Sequence, residues 1–260
     1  MKIITINIQA AGVPRAKSLL EWLDGRDDDV VILTETSSGP GTRYLLEAYR
    51  AIGWQVVTTE APGDRGCALV TRLPARPVAL AVSLPGRCAA VAVDSSPCIL
   101  VVGVYVPSND RTKAAKKRNF LADLVQALAP HCTDTGIEVI LGGDYNLVTR
   151  DHEPAYPGVF ADSDYAFLDA LAHLGLVDAH RHLHPADQPH SWVGHRGHPY
   201  RYDYFHVAAA LAARLTSSTY LQHTREAGLS DHAAVGAGLA VSVNRLGEAG
   251  QLAARAGTLF

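Results

Sequence analysis

The chain has 260 residues, 48% of them apolar and 19% charged, with a formal charge of −3. That composition supports a sizeable core and excludes a disordered chain, and no apolar run reaches the roughly 18 residues that a membrane helix needs. The negative balance excludes a protein coated in positive charge for non-specific DNA binding, but not an enzyme whose bound cation changes the local field.

Strand-like and helix-like runs alternate along the chain. Ile3 to Ile8 predicts a strand, Val13 to Leu23 a helix stopping at Gly25, and Asp29 to Thr34 a compact apolar strand. The opening MKIITINIQ lacks the apolar core of a secretory signal and reads as a strand at the native N-terminus. Thr42 to Ile52 places Leu45, Ala48, Tyr49 and Ile52 on one helical face, with Gly53 as the stop. Strands are expected near 54–59, 67–71, 88–94 and 98–106, then a helix over 112–129 closed by Pro130. Ile137 to Leu141 predicts a buried strand, and Ser163 caps a helix that Gly175 ends. The last strands are expected near 203–207 and 234–241, and residues 243–260 as a tail helix. The whole reads as one α/β domain over 1–260, with a core of about 1–240 and a tail over 241–260. Cys67, Cys88, Cys98 and Cys132 form no CxxC pair and read as reduced thiols of a cytoplasmic protein.

Several common chemistries are missing from the motifs. There is no GxxxxGK[ST], no GxGxxG after a first strand, no GxSxG and no HExxH. The strongest positive feature is EVILGGDYN at 138–146: a buried strand runs through two glycines and presents Asp144 and Asn146 on the same side of the chain. A carboxylate beside an amide can orient a water and stabilise an oxyanion, although the same pair suits an Asx-turn. VVILTET at 30–36 leads to Glu35, an acid at the mouth of a buried strand, suited to Mg²⁺ or to plain solvation. LSDHAAV at 229–235 sets Asp231 and His232 before an apolar strand; His232 could serve a phosphate or move a proton, and Asp231 could add a metal ligand. Asp203, in the Arg201-Tyr202-Asp203-Tyr204 strand opening, is placed to orient a histidine, and Tyr105 in GVYVPSND could reach a phosphate with its hydroxyl.

The ordered series Asn7, Glu35, Tyr105, GGDYN at 142–146, RYDY at 201–204 and SDH at 230–232 resembles the endonuclease/exonuclease/phosphatase superfamily, closest to the exonuclease-type abasic-site endonucleases. YVPSN at 105–109 and Ser191-Trp192 add to that likeness. Two departures stand out: Ile6 replaces the Trp that many members carry before the first-strand Asn, and Ser37-Ser38-Gly39 follows Glu35-Thr36 where abasic-site enzymes carry Lys. The resemblance implies a DNase I-like, four-layered α/β sandwich with two mixed central sheets flanked by helices. It implies Glu35 as principal Mg²⁺ ligand beside Asn7, with Mn²⁺ as the substitute and Asp231 as a further metal-site acid. Asp144 would position or deprotonate the attacking water, Asn146 hold the phosphoryl oxygens, Asp203 orient the phosphate-binding His232, and Tyr105 contact the phosphate.

Outside that series, RTKAAKKR at 111–118 holds five positive charges and no acid. Arg111, Lys113, Lys116 and Lys117 are expected to contact a nucleic-acid backbone, unless they are only the solvated face of the following helix. Trp192 and Arg201 are expected substrate contacts as well. The expected function is an Mg²⁺-dependent nuclease acting on DNA, with no obligate protein partner. The alternatives are a hydrolase of small or lipid-headgroup phosphoesters and a non-catalytic binding scaffold.

Overall fold

A computed structural model describes residues 1–59, 63–134 and 136–246, and of Arg111 the backbone. In chain order its elements are β1 (Lys2–Asn7), α1 (Val13–Asp24), β2 (Val30–Thr36), α2 (Pro40–Ala51), β3 (Gln55–Thr58), β4 (Gly66–Thr71), β5 (Ala75–Pro77), β6 (Cys88–Val93), β7 (Ser95–Ser96) and β8 (Cys98–Tyr105). There follow α3 (Ala114–Thr133), β9 (Ile137–Asp144), α4 (Asp162–His173), β10 (Leu176–Asp178), α5 (Ala179–Leu183), β11 (Trp192–Val193), β12 (Pro199–Tyr200), β13 (Asp203–Ala208), α6 (Ala209–Ala212), β14 (Leu215–Leu221), α7 (His223–Glu226), β15 (Ala234–Leu239) and β16 (Ser242–Val243).

Twelve of these strands build two six-stranded sheets, ordered β14-β15-β1-β2-β4-β3 and β10-β13-β9-β8-β6-β5. Each is mixed: β1 runs parallel to β2 and β8 parallel to β9, with antiparallel neighbours around them. Period-two alternation assigns the layers. Ile3, Val30, Ile32, Val101, Ile140 and Val235 fill the core between the sheets. Ile4, Ile6, Val31 and Leu33 point the other way, against Leu19, Leu20, Leu45 and Tyr49 of α1 and α2. Leu100, Val102, Val139 and Leu141 pack on Phe120, Leu124, Phe167 and Leu171 of α3 and α4. The result is the four-layered sandwich expected, with each buried aliphatic side chain contributing roughly 1.5–3 kcal/mol.

Two glycines let β9 reach the catalytic end. A Cβ on Gly142 would lie 2.3 Å from the Phe205 ring. At Gly143, φ is +139° and a Cβ would lie 2.0 Å from the Val104 carbonyl oxygen. Only glycine fits both the dihedral and the close approach there.

Several local expectations are corrected. Helix α3 continues through Pro130 to Thr133; a proline near a helix end removes few backbone hydrogen bonds. Helix α4 starts at Asp162 with Ala161 as the N-cap rather than Ser163, and Asp164 accepts a hydrogen bond from the Ala161 N–H at 3.1 Å. The expected tail helix is replaced at its start by β16, which pairs with β7; residues 247–260 of that tail lie outside the described residues. Strands β5, β10 and β14 were not expected at all.

Two buried ion pairs tie helices and loops to the second sheet. The Arg201 guanidinium grips Asp178 through two hydrogen bonds of 2.7 Å each, and Lys117 lies 3.1 Å from Asp164. Removing one partner of such a pair leaves a buried charge uncompensated, at a cost of about 3–5 kcal/mol.

Nearby, His206 stacks on Tyr145 at 5.6 Å and lies tilted against Tyr204 at 5.9 Å. Burial holds its pKa down at about 4, with Asp178 opposing and Arg201 reinforcing the shift. The unfolded chain therefore takes up a proton between about pH 6.5 and 4 that the folded chain refuses, so stability falls as pH drops through that window. His206→Leu is expected to flatten the decline by on the order of 3 kcal/mol at its acid end, as read by denaturant titrations at a series of pH values. His152, His180 and His190, which burial also holds low, add to the decline, and Asp144, which burial holds high, opposes it. A variant with the wild-type slope would refute the assignment.

Candidate active site

Strand register converges the functional side chains at one end of the sandwich. In the second sheet Asp144 is paired across to Tyr105 on one side and to Asp203 on the other. In the first sheet Asn7 ends β1 beside Thr34, one residue before Glu35. Glu35 sits where the β2–β4 register shifts, with φ at +53°. Its carbonyl accepts the Ala10 N–H at 2.9 Å, from a turn in which Gln9 and Ala10 also have positive φ. Non-glycine residues in this region are strained, and here the conformation places Glu35 at the register shift near the end of an interior strand.

Asn7 is fully buried, and its Nδ2 donates to Glu35 Oε1 at 3.1 Å and to Asp144 Oδ2 at 2.9 Å. The Tyr105 hydroxyl donates to the same Glu35 oxygen at 3.0 Å. Asp144 Oδ1 accepts the Asn146 N–H at 2.9 Å, and Asn146 Nδ2 donates to the Val106 carbonyl at 3.0 Å. His232 Nδ1 lies 2.7 Å from Asp203 Oδ2, so that edge of the ring donates to the carboxylate. Asp203 Oδ1 is buried and has no hydrogen-bond partner among the described residues. Asp144, Asp203 and His232, all buried, offer ligand atoms within 4.8 Å of one another.

The electrostatics follow from this crowding. Burial pushes the Asp144 carboxyl up to about 8, reinforced by the neighbouring Asp203 and opposed by His232. Burial alone would lower His232, but Asp203 outweighs it and the imidazole is pushed up to about 9. Burial also raises the Tyr105 hydroxyl, so it remains a proton donor.

The structure thus brings together Asn7, Glu35, Tyr105, Asp144, Asn146, Asp203 and His232. Asp231 is exposed and accepts the Trp192 indole N–H at 3.1 Å. Trp192 begins an aromatic stack through Tyr202, Tyr200 and Tyr156, all half-buried, and its ring centroid lies 6.3 Å from that of His232. The expected basic face is largely engaged. Lys116 is bound to Asp64 at 2.8 Å and Lys113 lies 3.7 Å from Asp110. Lys117 and Arg201 are corrections: both are buried in the ion pairs with Asp164 and Asp178 and present no cation to an incoming substrate. Of Arg111, only its place in a short 3₁₀ turn, Arg111–Lys113, is described.

Three supporting residues were missed. Ser230 Oγ donates to the Asn7 carbonyl at 2.6 Å and accepts the His232 N–H at 3.0 Å, joining the first motif to the last. Ser191 Oγ accepts the Tyr202 and Asp203 N–H groups at 3.0 and 3.1 Å. Both serines stand within quoted motifs, where their hydroxyls were the available signal. Arg65 Nε, 4.0 Å from Glu35 Oε2, lies in no motif.

A two-sheet sandwich that gathers carboxylates, an amide and a histidine at one end is the layout of a hydrolase. The chain belongs to the Endonuclease/Exonuclease/phosphatase family, whose model matches residues 4–249, and is a phosphoesterase of that family. No curated protein matches the sequence. Among solved structures it is similar to the 3' phosphatase NExo from Neisseria bound to a product DNA hairpin, at 24% identity, covering 92% of this chain and 99% of that one, with a TM-score of 0.79. An AP endonuclease from Archaeoglobus fulgidus gives 21% identity, 92% and 99% coverage and a TM-score of 0.78. The APE2 catalytic domain from Xenopus laevis gives 22%, 94% and 93%, and 0.74. At these identities the likeness establishes the DNase I-like fold.

Because Asp203 is the charge that outweighs burial at His232, Asp203→Asn is expected to bring the imidazole pKa from about 9 down toward or below the ordinary 6.5. A titration of the His232 ring proton by NMR measures this, and an unmoved pKa would overturn the account.

Proposed function

We propose that the protein is an Mg²⁺-dependent phosphodiester hydrolase acting on DNA, as an abasic-site endonuclease or exonuclease. The observation that carries this reading is Asp144 itself: a buried carboxylate pushed up to about 8, held by Asn7 and Asn146, beside a histidine made cationic by Asp203. The similar structures support the substrate, one being named an AP endonuclease and another holding product DNA.

The donor set fits a hard divalent cation. Glu35, Asp144 and Asp203 converge with two cations near them, His232 on Asp203 and the half-exposed Arg65 at 4.0 Å from Glu35, and among the described residues Asp203 Oδ1 is an orphaned buried acceptor. Such oxygen-rich, under-compensated sites suit Mg²⁺ or Mn²⁺. Glu35 with Asn7 would hold the ion, and Asp231 stands as a further acid. When bound, the ion polarises a phosphoryl oxygen and offsets charge on the leaving oxygen.

The chain's own groups do the rest. Asp144 in its ionised form accepts a proton from the attacking water, held in place by the Asn7 side chain and the Asn146 N–H. His232, its Nδ1 committed to Asp203, presents Nε2 as a positive donor to a non-bridging phosphoryl oxygen. Asn146 holds the loop beside Asp144 through its bond to the Val106 carbonyl. Tyr105 keeps Glu35 in place through its hydroxyl. The half-buried stack from Trp192 to Tyr156 offers ring faces to a base or sugar next to the reacting phosphate. Free thiols at all four cysteines support a cytoplasmic setting.

A second reading, hydrolysis of a small phosphoester, is favoured by one observation: Lys113, Lys116 and Lys117 are paired with the protein's own acids. Plasmid, an abasic oligonucleotide, single-stranded RNA and bis-p-nitrophenyl phosphate, each with Mg²⁺ and with EDTA, separate the two. Turnover of the abasic or plasmid DNA that EDTA abolishes is expected, and turnover of the small diester alone would overturn the nuclease reading. Asp144→Asn is expected to lower kcat by about 10²–10⁴-fold while the melting temperature is kept, and His232→Ala to lower kcat by a similar factor and the melting temperature as well, because it leaves Asp203 buried without its partner. Variants with wild-type kcat would remove these residues from the chemistry.

A further inference from the structure

The cations nearest the site are mostly neutralised. Asp64 engages both Arg87 and Lys116, Arg201 is spent on Asp178, and Lys117 on Asp164. Helix α2 differs. Arg43 and Arg50 are exposed on its surface, seven residues apart and so on one face, about 10.5 Å along the axis. No acid pairs with either among the described residues. Both line a cleft of about 630 Å³ whose other walls include Thr36, Ser38, Thr42 and Thr58.

The cleft starts at the catalytic end, because Thr36 follows Glu35 directly. It is also rigidly tied to that end. A Cβ on Gly41 would fall 1.9 Å from the Ala11 carbonyl oxygen, so α2 is seated hard against the segment that follows Asn7. The Ser37 N–H donates to Thr42 Oγ1 at 3.1 Å, and the Gly39 N–H to Ser37 Oγ at 3.1 Å, fixing the turn between Glu35 and the helix. Asp64 also lines the cleft, but its charge is already answered by Arg87 and Lys116. What remains is a trough floored in part by Leu46, with several hydroxyls and two guanidinium groups that no acid answers among the described residues. That lining suits phosphodiester oxygens and offers no stacking face for a base.

Resting on the nuclease reading, we infer that the α2 cleft holds the nucleic-acid backbone on one side of the scissile phosphate, with Arg43 and Arg50 each taking a different phosphate. Backbone contact here is sequence-independent and moves the electrostatic footprint from the 111–118 segment to α2.

The test measures binding and turnover separately. A fluorescein-labelled duplex carrying an abasic analogue is titrated in EDTA at several salt concentrations, against wild type, Arg43→Ala/Arg50→Ala and Arg43→Lys/Arg50→Lys. The alanine pair is expected to weaken binding about tenfold and to reduce the slope of log Kd against log salt by about 1.8, at roughly 0.9 per lost phosphate contact. The lysine pair is expected to restore most of that slope. KM for the duplex rises in the alanine pair while kcat for the duplex is kept. An unchanged salt slope overturns the cleft assignment even when wild type cleaves DNA. An equal fall in kcat for the duplex and for bis-p-nitrophenyl phosphate also overturns it, because the arginines would then act through the catalytic groups. Wild type that neither binds nor cleaves the duplex, yet turns over the small diester, overturns the nuclease reading and the cleft assignment with it.

Discussion

One side-chain amide joins the two halves of the site. Asn7 uses both hydrogens of Nδ2, one on Glu35 in its own sheet and one on Asp144 in the facing sheet. Each is a hydrogen bond to a carboxylate, the one to Asp144 buried and the one to Glu35 partly so, and such bonds to charged groups are worth about 1.5–3 kcal/mol. The Asn7 carbonyl in turn accepts the Ser230 hydroxyl, which positions the backbone of His232. The spacing between the sheets at the catalytic end therefore depends on a residue that takes no proton and attacks nothing. The glycines of β9 serve the same constraint from the other side, since any Cβ at Gly143 would push Asp144 away from Val104 and out of reach.

Around that link, negative charge accumulates faster than the protein neutralises it. Asp203 is answered by His232 on one oxygen and by nothing on the other. Asp144 has amide donors but no cation in contact, and its raised pKa records the deficit. Elsewhere the same chain neutralises buried acids thoroughly, as at Asp29, which meets both Arg72 and Arg245. The contrast between the two ends of the sandwich sets the end with Asp144 and Asp203 apart electrostatically from the rest of the fold.

Much of this was legible in the sequence. Alternation in Ile3 to Asn7 and in Val30 to Thr36 distinguishes the inner from the outer face of the first sheet, and it is the same alternation that fills two separate cores. Asn7, Glu35, Asp144, Asp203 and His232 stand at strand ends, where a polar residue after an apolar run is conspicuous. The edge strand β14 was hidden because its Thr216-Ser217-Ser218-Thr219 stretch is small and polar and carries no apolar period. Lys117 and Arg201 were misread because a charge looks like surface until its partner is known, and Asp164 and Asp178 lie 47 and 23 residues away in the chain. Arg43 and Arg50 drew no notice, since two isolated cations on an amphipathic helix form no motif.

The pairing of the first strand with one of the last has a temporal consequence. β1 lies against β15, with Lys2 opposite Gly238, and the Met1 amino group donates to the Leu239 carbonyl. Asn7 reaches Ser230 across 223 positions of sequence. Contacts of such separation form late, because loop closure must precede any gain from them. A growing chain on the ribosome can build α1 and α2 on β1 and β2 early, yet it holds neither His232 nor the strand that backs Asn7 until synthesis has passed residue 239. A fragment that ends before residue 232 lacks His232 and the Ser230 hydroxyl that backs Asn7, so the full set of site residues comes together only when nearly the whole described chain is present.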